Sequence, residues 1–381
     1  MTGPVVHTYR AAESGLLVNS YLVEGEQGVV VVDTNLLVSD IAALRARLQA
    51  LHKPLRAILV THPHPDHFNG VLALVRDREV PVYATADVGR VITEIAAAKR
   101  AQWSPVYGRE WPAETFYPNS LLAGGTRVAV DELSFAVHDV GPAESHADSY
   151  VVMAADGGAQ VAFTGDLAFH GMHPYTADGH SGRWLAALDV LAGDLADVRT
   201  LYPGHGDPAE PGLLAEQRRY LLFYRELVRR LSGGEPRLAQ AAKAELGAAM
   251  QAFLPDVPLT WMIELGADAV AAELADEGVT QDALHVARPF RAAGQRAGPG
   301  HHDVRDGLGL GCVGERERQA VRAVRRRGRH LGRHRQQVHR RLRRVHSRRP
   351  ARGRPGPLRP GLPARLPGRL RLHPRRHVRP P

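Results

Sequence analysis

The chain has 381 residues, 44% of them hydrophobic, and a formal charge of +9, enough to bury the core of one large domain or two ordinary ones. The charge is unevenly divided: from Arg288 to Pro381 there are 28 Arg or Lys and 4 Asp or Glu, which leaves −15 on residues 1–287 against +24 on the remainder. The single cysteine, Cys312, excludes an intramolecular disulfide framework and a cysteine-based zinc knuckle. With no basic n-region ahead of an apolar run, and no stretch near the ~18 apolar residues of a membrane span, the sequence predicts a cytoplasmic protein without a membrane partner.

The first elements are "LLVNSYLVE" and "GVVVVDTN", two β-branched runs joined by "GEQG", a hairpin signal. "VSDIAALRARLQAL" then carries apolar residues at helical spacing behind a Ser/Asp cap. "LRAILVTH" reads as a short buried strand and "FNGVLALVRD" as a helix, so the intervening "HPHPDH" falls in a strand-to-helix loop, where catalytic groups commonly sit. "PVYAT" predicts a strand and "DVGRVITEIAAAKRAQ" a helix. The following "WSPVYGREWPAETFYPNSLLAGG", with its Pro, Gly and aromatic residues, predicts an irregular insertion. Four further strands ("TRVAV", "LSFAVHDVG", "SYVVMAA", "AQVAFTGD"), a helix ("SGRWLAALDVLAGDL") and a last strand with its loop ("VRTLYPGHG") complete an α/β pattern of two strand clusters flanked by helices. That pattern predicts a four-layer helix–sheet–sheet–helix sandwich over 1–232. From "PGLLAEQRRYLLFYRELVRRL" onward the patterning is helical, and 233–286 form a C-terminal helical extension.

Residues 291–381 contain no Ile, Lys, Met, Asn, Thr, Phe, Tyr or Trp. Such a composition offers too little apolar surface to offset the entropy of ordering. It is what a GC-rich gene yields in a wrong reading frame, and the sequence predicts that 287–381 are a frameshifted or disordered basic segment. A basic arm that binds nucleic acid through phosphates is the alternative; the acidic balance of 1–286 argues against nucleic acid as a partner of that part.

"THPHPDHFNG", residues 61–70, holds three histidines and an aspartate in six positions. Imidazoles and carboxylates are ligands for borderline divalent metals. His62 and His64 are two apart on an extended stretch and point the same way; Asp66 and His67 follow as the loop turns, and Pro63 and Pro65 stiffen it.

The HxHxDH spacing at a strand end resembles the first metal motif of the metallo-β-lactamase-fold superfamily. The resemblance covers roughly residues 7–232 and also draws on "VVVVDTN", "VGPAESHADSYVV", "FTGDLAF" and "LYPGHG". It implies an αββα metallo-β-lactamase sandwich whose domain 1–232 is a metal-binding catalytic domain, with one divalent ion held by His62, His64 and His146, a second by Asp66, His67 and His205, and Asp166 shared. Asp33 would orient the metal loop through hydrogen bonds. The implied activity is hydrolysis of a small ester, thioester or lactone by hydroxide that a zinc pair activates, with Asp66 aiming the hydroxide. Some members of the fold bind iron for redox chemistry, which is the competing reading. Many relatives carry the third histidine in a "GHT" or "GHS" context, from which "SHADS" departs. Trp103, Tyr107 and Trp111 are expected over the substrate, and His173 and His180, in the loop after the Asp166 strand, are candidate substrate contacts.

Overall fold

The computed structural model describes residues 3–76, 79–155 and 158–286. The expected basic segment 287–381 lies outside the described residues.

Eleven strands among the described residues form two sheets. The first runs in spatial order β1 (Val5–Arg10), β2 (Asn19–Glu24), β3 (Val29–Val32), β4 (Leu55–Leu59), β5 (Val82–Thr85) and β6 (Ser120–Leu122). Its β1–β2–β3 part is antiparallel and its β3–β4–β5–β6 part parallel. Each parallel step needs a crossover, and α1 (Val38–Ala50) and α4 (Ala86–Tyr107) supply two of them. The second sheet has the order β11 (Val198–His205), β10 (Gln160–Phe169), β9 (Asp148–Ala154), β8 (Leu133–Gly141) and β7 (Thr126–Val130). Only β10 and β11 are parallel in it, with α5 (Ser181–Asp194) between them.

Alternation along the strands decides which residues meet. Tyr21, Val23, Val30, Val32 and Leu59 of the first sheet pack on Phe135, Val151, Met153 and Phe163 of the second. The opposite faces turn to helices: Val29, Val31 and Ile58 meet Leu44 of α1 and Val88 and Ile92 of α4, while Ala162 and Leu201 meet Trp184 and Leu188 of α5. The four-layer αββα sandwich read from the sequence is the observed architecture.

Differences are local. β1 and β6, at the outer positions of the first sheet, were not read from the sequence. The single helix expected after the histidine loop is two short ones, α2 (Pro65–Phe68) and α3 (Val71–Val75). The expected irregular insertion begins later, because α4 continues through Trp103 and Pro105 to Tyr107. Pro105 falls in the last turn, and Trp103 and Tyr107, one turn apart, pack with Trp111 on Leu36 and Leu37; that tertiary contact outweighs the proline's local preference.

Beyond β11, α6 (Gly212–Ser232), α7 (Gln240–Phe253), α8 (Trp261–Leu265) and α9 (Ala267–Val286) share a core through Tyr224, Val228, Met250, Ile263 and Val270. The helical extension therefore packs on α6, which itself packs on the second sheet, rather than standing apart.

Candidate metal centre

The chain turns sharply where β4 ends. His64 is the N-cap of α2 and Pro65 its first residue, a position where the missing N–H costs nothing. His67 N–H donates to the His64 carbonyl (3.0 Å), and the His67 carbonyl accepts from Thr34 N–H (3.0 Å) and Thr34 Oγ1 (3.1 Å). In β10 the register against β11 shifts on both sides of Gly165, which has a φ of 50°; this irregularity sets the next residue, Asp166, among the loop histidines. β11 ends on His205. Gly204 beside it has no room for a side chain, since a Cβ there would overlap Asp166 Oδ1 and crowd the His67 ring.

Two groups of donors result: His62, His64, Glu144 and Asp166, and Asp66, His67 and His205. Within each group the donor atoms lie within 4.8 Å of one another, and all seven residues are buried. Asp166 joins the groups, with Oδ2 3.7 Å from His62 Nε2 and 3.3 Å from His205 Nε2, and Oδ1 3.3 Å from His67 Nε2. Asp66 Oδ2 is 3.4 Å from His205 Nε2.

Each imidazole is held by its other nitrogen. Asp33 accepts from His67 Nδ1 (2.8 Å), from Thr61 Oγ1 (2.8 Å) and from Thr61 N–H (3.0 Å). With its proton committed to Asp33, Thr61 Oγ1 accepts from His62 Nδ1 (3.1 Å). His205 Nδ1 donates to the Leu16 carbonyl (2.9 Å), and His64 Nε2 donates to Asp178 Oδ2 (3.0 Å). These partners leave the lone pairs of His62, His67 and His205 on Nε2 and that of His64 on Nδ1, all facing the donor groups.

His62 Nε2, His67 Nε2, both Glu144 oxygens and Asp166 Oδ1 are buried without a hydrogen bond. Glu144 Oε2 approaches His64 Nδ1 to 3.2 Å without a hydrogen bond between them. Buried polar atoms are ordinarily satisfied, and the donor chemistry fits divalent cations. Electrostatics agree. Burial is the largest influence on His67 and His205 and opposes their charge, but the carboxylates together outweigh it, Asp166 and Asp66 at both and Asp33 at His67; with no ion bound, His67 is held well above the usual imidazole range and His205 at about 9. Burial pushes Glu144 up to about 8. It also drives His62 down, reinforced by His67.

The expected third histidine is displaced. His146 has a side chain 44% exposed and lies outside both groups, with Nδ1 2.7 Å from His180 Nε2. Glu144, 1% exposed, occupies the inward position. The cause is the turn after β8: Asp148 Oδ2 accepts from Ala143 N–H (3.1 Å) and Ser145 N–H (2.9 Å), which fixes a tight loop with Glu144 inside and His146 outside. A lone acid in the small-residue run "GPAES" was the signal available in the sequence. Asp178 was also missed; it accepts from Tyr175 OH (3.0 Å) and lies 3.7 Å from Lys99 Nζ, which together fix it behind His64.

Trp103, Tyr107 and Trp111 line a cavity over the donor groups, whose floor includes His64, Asp66, Asp166 and His205. The far wall is Trp261, Met262 and Leu265 of α8. His173, a candidate substrate contact, is fully buried elsewhere, its Nδ1 2.9 Å from Tyr220 OH. His180 packs against His146 and is not among the cavity-lining residues.

Comparison with known proteins gives a consistent picture. Residues 14–205, half of the chain, match the model of the Metallo-beta-lactamase superfamily. A hydroxyacylglutathione hydrolase of Albidiferax ferrireducens is 32% identical over 174 residues, 45% of this chain and 56% of that protein. A linear primary-alkylsulfatase of a Pseudomonas species is 38% identical over 60 residues, 16% and 11% of the two chains, and the exodeoxyribonuclease WalJ of Streptococcus pneumoniae is 36% identical over 76 residues, 20% and 28%. The chain thus spans little more than half the length of these relatives at most. Among solved structures, a metallo-beta-lactamase from Pontibacter korlensis has a TM-score of 0.46 at 20% identity, covering 58% of this chain and 96% of that one. Among the described residues no helix is long and apolar enough to cross a membrane. The family match agrees with the αββα layers and the histidine-rich loop at the end of β4: the chain belongs to the metallo-beta-lactamase superfamily.

Proposed function

We propose that the protein is a metal-dependent hydrolase that cleaves a small ester, thioester or lactone with two divalent ions. His62, His64 and Glu144 hold one, Asp66, His67 and His205 the other, and Asp166 is shared. The observation that carries this reading is the set of buried, unpartnered donor atoms on His62, His67, Glu144 and Asp166. Bound divalent ions supply Lewis acidity, polarising the electrophilic centre and lowering the pKa of a water toward neutrality. The chain's own residues do the rest. Asp33 and Thr61 fix the tautomers of His67 and His62, Asp178 fixes His64, and Asp66, which closes one side of the cavity floor, would accept a hydrogen bond from the attacking hydroxide and aim it. Trp103, Tyr107 and Trp111 exclude bulk water above the floor.

Zinc is the metal we propose, since four imidazoles with carboxylates suit it. Glu144 favours a second reading: two histidines and two carboxylates around one ion also suit iron, and with it redox chemistry. The names of the relatives cover a hydroxyacylglutathione hydrolase, a linear primary-alkylsulfatase and an exodeoxyribonuclease, so they support a hydrolytic reaction class without fixing a substrate. The acidic balance of 1–287 speaks for a small molecule rather than nucleic acid, and the single cysteine suits a cytoplasmic setting.

The test is to reconstitute the chelator-treated chain with zinc or with ferrous iron and follow p-nitrophenyl esters, a thioester and a lactone. Zinc-dependent turnover that Asp166→Asn abolishes supports the hydrolase. Dioxygen uptake with iron and no hydrolysis with zinc replaces it by the second reading.

A further inference from the structure

The cavity above the donor groups is unlike its floor. Lys99, Trp103 and Tyr107 are spaced one turn apart along α4 and present one face to it; Trp261, Met262 and Leu265 of α8 face it from the extension. Trp261 and Leu265 are 46% and 39% exposed, large apolar side chains at the rim of a cavity that runs down to the carboxylates. Lys99 is the one lysine or arginine among the described lining residues, and it is engaged: its Nζ lies 3.7 Å from Asp178 Oδ1 and 5.7 Å from the centre of the Tyr175 ring. Away from the floor and any ions held there, a carboxylate or sulfate against these walls would find no free cation among the described lining residues, whereas a hydrocarbon chain or ring would cover Trp261 and Leu265 and meet aromatic faces on both sides.

We propose that the substrate is an uncharged ester, thioester or lactone carrying an apolar chain or ring, which lies between the C-terminal end of α4 and α8 with its reactive carbonyl over the floor. The C-terminal helical extension thereby supplies one wall of the specificity pocket. The placement of the carbonyl rests on the hydrolase reading; the apolar subsite stands on the cavity walls.

Tryptophan fluorescence reads occupancy directly, because Trp103, Trp111 and Trp261 line the cavity. Zinc-loaded full-length protein is titrated with butan-1-ol, hexan-1-ol, octan-1-ol and octyl sulfate. Affinity is expected to rise about fourfold per added methylene, octyl sulfate is expected to bind more weakly than octan-1-ol, and Leu265→Asn and Trp261→Ala are each expected to weaken octan-1-ol severalfold. Both replaced side chains are partly exposed, and circular dichroism checks that the variants fold. Equal affinity for butan-1-ol and octan-1-ol, indifference to both variants, or tighter binding of octyl sulfate overturns the proposal. Alkanol binding without turnover of any ester would sink the hydrolase reading and leave the subsite; turnover without chain-length dependence would do the reverse.

Discussion

Asp33→Asn separates positioning from ligation at this centre. The Asp33 carboxylate takes three donors: Oδ1 accepts from Thr61 N–H, and Oδ2 accepts from both Thr61 Oγ1 and His67 Nδ1. Asparagine keeps the shape and tolerates the left-handed backbone at this residue (φ 59°). With its oxygen kept on Thr61 N–H, its NH2 group replaces Oδ2 and faces two donors. His67 can then satisfy it only by accepting at Nδ1, which puts its proton on Nε2, the atom 3.3 Å from Asp166 and needed for metal. Thr61 Oγ1 loses its acceptor too, and with it the reason His62 keeps its proton on Nδ1. One charge-assisted hydrogen bond contributes about 1.5–3 kcal/mol, which corresponds to roughly 10- to 150-fold in affinity. Competition against a chromophoric chelator measures the zinc affinity of each site, with circular dichroism as a control for folding. Two zinc ions bound within about twofold of wild-type affinity would refute the tautomer argument.

Other consequences are testable in the same way. Glu144→Gln should weaken one of the two zinc ions by roughly 100-fold or more, because a ligand matters at least as much as its supports, whereas His146→Ala should leave both ions in place; chelator competition on the pair decides which residue is the ligand. Gly204→Ala should lower zinc content, since the new methyl displaces Asp166 and the His67 ring, and elemental analysis reads it. Burial pushes His173 down from 6.5 to about 4. The unfolded chain therefore takes up this proton at a higher pH than the folded chain does, so stability is unaffected above ~6.5, falls as pH drops toward ~4, and loses at most about 3 kcal/mol. His173→Phe should flatten that slope in urea titrations between pH 4 and 7; an unchanged slope would assign the acid sensitivity to other groups.

Much of this centre could be read from residues alone because its ligands sit at strand ends. The β-branched runs around "VVVV" and "LRAIL" announce strands, so the histidines that follow fall at the end of one; His205 closes its own strand in the same way, and Asp166 sits at the irregularity near the end of β10. The third-ligand loop was different. Whether Glu144 or His146 points inward depends on Asp148 capping the turn, a contact among three residues that periodicity does not encode. His173, read as a candidate substrate contact, is instead covered by Tyr220 of a distant helix, a contact the loop's own sequence does not encode. The α8 wall escaped for the same reason: Trp261 lies over 150 residues from Trp103 and Tyr107, and only the packing of the extension on α6 brings them to one cavity.

We propose that the two buried donor groups hold two divalent ions. Elemental analysis of full-length protein purified without added metal tests it most directly. About two zinc ions per chain are expected, falling to about one in Glu144→Gln; a chain that carries no tightly bound zinc or iron, and takes up none after dialysis against either, would show that these groups are not a metal centre.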